Sequence, residues 1–150
     1  TTKKLADFPA KARIIELFGT WCPNCLDATR VLADLDKTYR HKGLSIVGLA
    51  FEVTGDAERD RKQVALYAER HNVTYPLLIA GKKDKAEASA KFPVIDKLRA
   101  YPTFIFIDAS GKVRGVYTGF SGPATGEEHE RLTRAFEEKV EEMLKSAAGE

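Results

Sequence analysis

Phe18-Gly19-Thr20-Trp21-Cys22-Pro23-Asn24-Cys25 holds both cysteines of this 150-residue chain, three positions apart. An apolar run, Ile14-Ile15-Glu16-Leu17-Phe18, leads into it and a long helical pattern follows. A Cys-x-x-Cys pair at a strand-to-helix junction can close a small disulfide and open it again. The first thiol emerges where the unpaired N–H groups of a new helix converge, and their partial positive charge favours a thiolate. Thiols so placed ionise well below the free value of about 8.5. A thiolate attacks a second disulfide through a mixed intermediate. Redox chemistry is therefore the first function the residues suggest.

Outward from this stretch, residues 11–18 read as a buried strand. Residues 23–41 read as a helix, with Ala28, Leu32, Leu35 and Tyr39 on one face. Pro23 suits its first turn and Gly43 stops it. The nearly continuous apolar run 44–51 reads as a strand covered on both faces. Asp56 is placed to cap a second helix to about His71, with Val64 and Ala68 in line. A short strand is expected over 75–80, and an Ala- and charge-rich helix over 82–91. Pro93 interrupts that helix, and a further turn or two is expected over 94–100. Thr103–Asp108, the turn 109–112 and residues 113–120 read as a hairpin. Thr125 with Glu128 makes a capping-box pattern before a last helix carrying Leu132, Phe136, Val140 and Leu144. Only residues 146–150 are expected to fray. The early alternation implies parallel strands with helices on both faces, and the hairpin adds an antiparallel edge.

Bulk properties narrow the classes. Hydrophobic residues make up 43% and charged residues 31%, and the formal net charge is +2. The length suits one domain, 1–150, with a single core. Near-neutral charge offers no general attraction to nucleic acid or membrane. No apolar stretch reaches the roughly 18 residues that a membrane helix needs. The chain opens on Thr1, compatible with a mature or excised domain from which a targeting segment, or an N-terminal anchor, has been removed. Two cysteines do not fix the compartment, since a disulfide framework in a small secreted domain would normally use more.

The element order, Trp-Cys-x-x-Cys after the first strand and Tyr101-Pro102-Thr103 before the hairpin together resemble the thioredoxin fold. Within it they resemble the TlpA-like thiol–disulfide oxidoreductases of bacterial envelopes. Phe18 to Cys25, Tyr101 to Asp108 and Thr118 to Gly126 carry the likeness. It implies a three-layer α/β/α sandwich around a mixed central sheet, with a helical insertion near residues 81–100. Family members carry an N-terminal hairpin before a Leu-x-Asp-Phe segment. Here Leu5-Ala6-Asp7-Phe8 stands almost at the start, so that hairpin is expected to be missing from this chain.

Cys22 is the expected nucleophile and the more exposed thiol, and Cys25, one turn on, the resolving thiol. A structural or zinc-binding pair is the alternative, but zinc wants about four ligands and the three histidines lack finger spacing. Pro23 and Asn24 are expected to tune the potential. The resemblance makes Pro102 a cis-proline that leaves the Tyr101 backbone free to pair with an extended substrate segment. An ordinary trans proline at a strand start is the alternative. Glu16 interrupts an apolar strand, and in thioredoxins this position holds a buried acid beneath the disulfide. There it could take the proton of Cys25 through water, whereas strand alternation would instead turn it outward. Glu52 ends the second strand where some TlpA-like reductases place a carboxylate near the active site, and a solvated strand end is slightly favoured over that role. Trp21 and Phe120 are expected to rim the thiol, with Phe120, Ser121 and Gly122 forming a substrate groove. His41, His71 and His129 read as surface residues.

The resemblance implies a protein-disulfide reductase working without organic cofactor or metal. It would act on protein disulfides and draw electrons from a thiol donor, in the bacterial periplasm or envelope. No nucleic-acid partner and no membrane contact by this domain itself are expected, and it is expected to be a monomer. An oxidase or isomerase, a copper- or metal-binding module using the two thiols as soft ligands, and a non-catalytic domain with a structural disulfide are the rivals.

Overall fold

The computed structural model describes residues 10–92 and 98–148. The segment 5–8, Pro93, most of the turns expected over 94–100 and the last two residues lie outside the described residues. The elements run β1 (Ala12–Phe18), α1 (Pro23–Tyr39), β2 (Leu44–Glu52), α2 (Ala57–Arg70), β3 (Leu77–Lys82), α3 (Lys85–Lys91), β4 (Thr103–Asp108), β5 (Val113–Thr118) and α4 (Glu127–Ala148). The five strands form one mixed sheet in the order β3-β2-β1-β4-β5. β1–β2 and β2–β3 pair in parallel, while β1–β4 and β4–β5 pair antiparallel. The central strand is thus the one that delivers the cysteine loop.

Both parallel connections step toward the same edge. Right-handed crossovers therefore place α1 and α2 on one face, and Thr29 of α1 indeed meets Tyr67 of α2 at 2.9 Å between hydroxyl oxygens. α4 covers the same face. Its Phe136 ring packs on Phe104 at 4.8 Å and Phe106 at 5.2 Å, in a cluster shared with Ile14, Ile46, Leu32 and Leu35. Alternate residues face the other way. Leu17, Phe51, Ile105 and Ile107 cluster there with Phe92, Leu98 and Tyr101 from the segment after α3. That second cluster also takes in Phe18, Cys22, Cys25 and Tyr67, so the core wraps the C-terminal ends of β1 and β2.

Asp56 caps α2 as expected, its carboxylate accepting from Arg59 N at 2.9 Å. Other boundaries shift for local reasons. α1 ends at Tyr39, and Arg40–Lys42 tighten into a 3₁₀ turn closed by Gly43 at φ +113°. β3 begins at Leu77, because Pro76 has no N–H to give and offers its carbonyl to Gly48 N instead. It runs on to Lys82, paired with Glu52, so α3 starts three residues later than expected. β5 stops at Thr118, before Gly119 at φ +81°. The capping box does not form: Thr125 Oγ1 donates to Gly122 O within a 3₁₀ turn over Pro123–Thr125, and α4 begins at Glu127. Gly48 explains a gap in the apolar run of β2. A Cβ there would lie 2.5 Å from Leu77 Cδ2 and 3.0 Å from Phe18 Cε1, so neighbouring side chains fill the place of its own.

Candidate active site

β1 ends at Phe18, and Gly19–Trp21 carry the chain to the head of α1. Cys22 is the N-cap residue: its backbone is extended, its N–H donates to Gly19 O at 3.2 Å, and its Sγ accepts Cys25 N–H at 3.3 Å. The sulfur at the helix start thus takes one of the orphan amide protons. The Cys22 S–H lies 3.8 Å from Tyr101 O, which sets the segment before Pro102 directly against the first thiol. The two sulfurs are unbonded thiols. Cys22 is 8% exposed and Cys25 fully buried, so Cys22 is the more accessible of the two. Burial is the main reason the Cys25 thiol is pushed far up, its hydrogen bond with the Cys22 sulfur adds to this, and the charge of Glu16 contributes in the same direction. Pro23 and Asn24 stand exposed at the first turn.

Glu16 is fully buried, and neither carboxyl oxygen has a hydrogen-bond partner. Of the two orientations open from sequence, the side chain takes the inward one. It stands opposite Gly48 and Phe104 in the sheet, hence on the face covered by α1. Burial alone pushes its pKa up to about 8. Around it, Thr29 Oγ1 donates to Cys25 O at 2.8 Å and contacts Tyr67 Oη, while Tyr75 Oη is buried without a hydrogen bond of good geometry. Desolvation raises both tyrosines, and the charge of Glu16 adds to each.

Glu52 departs from expectation. It is 3% exposed rather than solvated, because the cysteine loop folds over the end of β2. Its carboxylate accepts from Thr20 N at 2.9 Å and from the Thr20 hydroxyl. Next door, Trp21 Nε1 donates to Phe51 O at 2.9 Å. The last two residues of β2 therefore hold both residues that precede Cys22. The Trp21 indole packs against Gly19, where a Cβ would fall 2.1 Å from Nε1. Trp21 is 40% exposed, and its ring meets Tyr101 edge-on at 5.6 Å. The Tyr101–Pro102 peptide is cis, and Pro102 O accepts from Gly119 N at 2.8 Å.

The model of the AhpC/TSA family matches residues 1–116. The chain belongs to the AhpC/TSA family. It is 30% identical over 115 residues to the thioredoxin-like protein YneN of Bacillus subtilis, covering 77% of this chain and 61% of that one. It is 26% identical over 116 residues to the thiol-disulfide oxidoreductase ResA of Geobacillus thermodenitrificans, covering 77% and 59%. The chain thus spans about three fifths of the length of the curated relatives it matches. A crystal structure of a thiol:disulfide interchange protein of the thioredoxin family from Chlorobium tepidum superposes with a TM-score of 0.61 at 27% identity, over 87% of this chain and 82% of that one. The thioredoxin-like, TlpA-like resemblance and the mixed-sheet fold are borne out.

In this AhpC/TSA-family chain the loop after β5 plays a different part from the expected rim. Phe120 is buried, with ring contacts to Phe104 and Phe136 at 6.2 Å each and to His129 at 5.7 Å. Gly119 turns the chain at positive φ, and the next side chain drops into the core under α4. Ser121 and Gly122 are half-buried. Ser121 O is 2.8 Å from His129 Nδ1, and a Cβ on Gly122 would meet Asp27 Oδ2 at 2.3 Å, so this loop packs on α1 just beyond the cysteines. His41 is exposed, but His129 and His71 are half-buried, the latter edge-on to Tyr67 at 4.8 Å. Among the described residues no group of three or more His, Cys, Asp or Glu side chains is placed to hold a metal ion. Thr20, Thr29 and Tyr67 went unnoticed in the sequence. Thr29 had a usable signal, lying one helical turn beyond Cys25; Tyr67 had none, because its contact crosses between two helices.

Proposed function

We propose that this chain is a thiol–disulfide oxidoreductase that reduces disulfides of protein substrates in the bacterial envelope, acting as a monomer and re-reduced by a thiol donor. The observation that carries the reading is the Cys22 sulfur capping α1 and accepting the Cys25 N–H at 3.3 Å, with Cys25 shielded beneath. The description of the Geobacillus relative as a thiol-disulfide oxidoreductase supports it.

Cys22, as thiolate, attacks one sulfur of the substrate disulfide. That S–S bond breaks, a mixed disulfide forms, and one substrate thiol leaves with a proton. Cys25 then gives its proton to the Glu16 carboxylate through water and attacks the Cys22 sulfur. The second substrate sulfur departs as a thiolate and takes up the proton that Glu16 releases through water, leaving a Cys22–Cys25 disulfide. Two electrons and two protons pass to the substrate, and the donor dithiol later returns them. A buried thiol needs a base, and Glu16 lies on the same face, its own pKa lifted toward that of a thiol. Pro23 and Asn24 tune the stability of the thiolate. The Tyr101 backbone, beside Cys22, pairs with the extended substrate, and Ser121 and Gly122 border that segment. Glu52, with its oxygens engaged by Thr20, holds the loop rather than carrying protons.

Equilibration with glutathione redox buffers tests the direction. Dithiols of this class span roughly −270 to −120 mV. A reductase is expected near the reducing end, and a value near −120 mV would make the chain an oxidase instead.

A further inference from the structure

The net charge of the chain is +2, yet its charges are unevenly placed. Helix α4 carries seven Glu against four Arg or Lys. The mouth around Cys22 is the opposite. Trp21 divides it into two clefts of about 670 and 350 Å³. The larger runs from Trp21 and Tyr101 to the exposed Val53 and is bordered by Lys82 and Lys83. The smaller opens onto Cys22 itself and is bordered by Arg70 and His71 at the end of α2. Lys83 Nζ sits 5.6 Å from the Trp21 ring centre. Among the described residues Lys82, Lys83 and Arg70 have no acidic partner, and all three are exposed. Among the described residues Asp84 is the one acid lining either cleft, and its carboxylate caps α3 by accepting from Ala86 N at 2.8 Å. Glu52, nearby, is buried and bound to Thr20.

An apolar platform beside a thiol, edged by cations that form no ion pair among the described residues, suits a particular kind of occupant. We infer that the substrate segment seated across Trp21 is acidic: an extended stretch of a partner protein with Glu or Asp beside its disulfide cysteine. Its apolar groups lie on Trp21 and Val53, and its carboxylates meet Lys82 and Lys83. This rests on the exchange reading above and adds the chemistry of the partner. Clefts lined by one sign of charge speed encounter with the opposite sign by about tenfold or more, less so as salt screens them.

The test uses two homodimeric peptide disulfides, identical except for two Glu or two Gln beside the cysteine, mixed with the fully reduced protein at low ionic strength. The rate of protein oxidation is read by acid quench, alkylation and mass. The Glu peptide is expected to react about tenfold faster, and the advantage to shrink in high salt. Lys82→Gln with Lys83→Gln is expected to bring the ratio toward one, whereas Lys82→Arg with Lys83→Arg retains it. Equal rates for the two peptides, or an undiminished ratio in the double Gln variant, would overturn the inference while leaving the exchange reading intact. Failure of both peptides to oxidise the protein would overturn the exchange reading itself.

Discussion

Glu16→Leu is expected to flatten the pH dependence of stability that a buried, unpartnered carboxyl imposes on the parent chain between pH 5 and 9. The carboxyl moves from 4.5 to about 8 on folding, through burial alone. A group whose folded pKa is raised contributes its full stability below the unfolded value and loses it as pH climbs through the folded one. At about 1.4 kcal/mol per pH unit, this single residue costs on the order of 5 kcal/mol across the interval, and most of that is already lost by neutral pH. Leu carries no ionisable group and leaves no unpartnered oxygens. Denaturant titrations at several pH values should therefore show the parent weakening toward alkaline pH and the variant holding steady, more stable at pH 8. Parallel curves would mean that Glu16 is not the buried, unpartnered acid described. The same residue has a kinetic signature. Only its ionised form can accept a proton, so resolution of the mixed disulfide should quicken as pH rises through about 8. Glu16→Gln should remove that rise while altering the first attack less.

The second large effect separates the two sulfurs. Cys25→Ala is expected to attack a disulfide partner and stop there, accumulating as a one-to-one covalent adduct that thiol reductants release. Cys22→Ser is expected to give none, and its turnover should fall to the uncatalysed background. The asymmetry follows from position. Cys22 lines the smaller cleft and is held against Tyr101 O, while Cys25 is fully buried and has no route to a bulky partner. Non-reducing gels and intact mass distinguish the species. An equal yield of adduct through Cys25 in the Cys22→Ser protein would contradict the assignment, and mass analysis of adducts from an envelope extract would name the partner.

The parts legible in sequence are those whose cause is local. The strand 103–108, the Asp56 cap and the start of α1 at Pro23 rest on a run of β-branched and aromatic residues, capping and ring geometry within a few residues, and all stand where expected. The fates of Glu16, Glu52 and Phe120 depended on distant segments. Glu16 is inward because α1 crosses over that face of β1, which alternation alone could not reveal. Glu52 looked solvated because the loop that covers it lies more than thirty residues earlier in the chain. The loop context of Phe120 points to the rim, yet the turn at Gly119 sends it into the core. The basic mouth is invisible in bulk charge, because the acids of α4 offset it in the total.

The most direct measurement is the order in which the two thiols react. The reduced protein, pulsed with iodoacetamide at neutral pH and mapped by peptide mass, should carry nearly all its label on Cys22 before Cys25 takes any. Labelling of Cys25 first, or of both at one rate, would contradict a reactive sulfur at the helix start with a shielded partner below it.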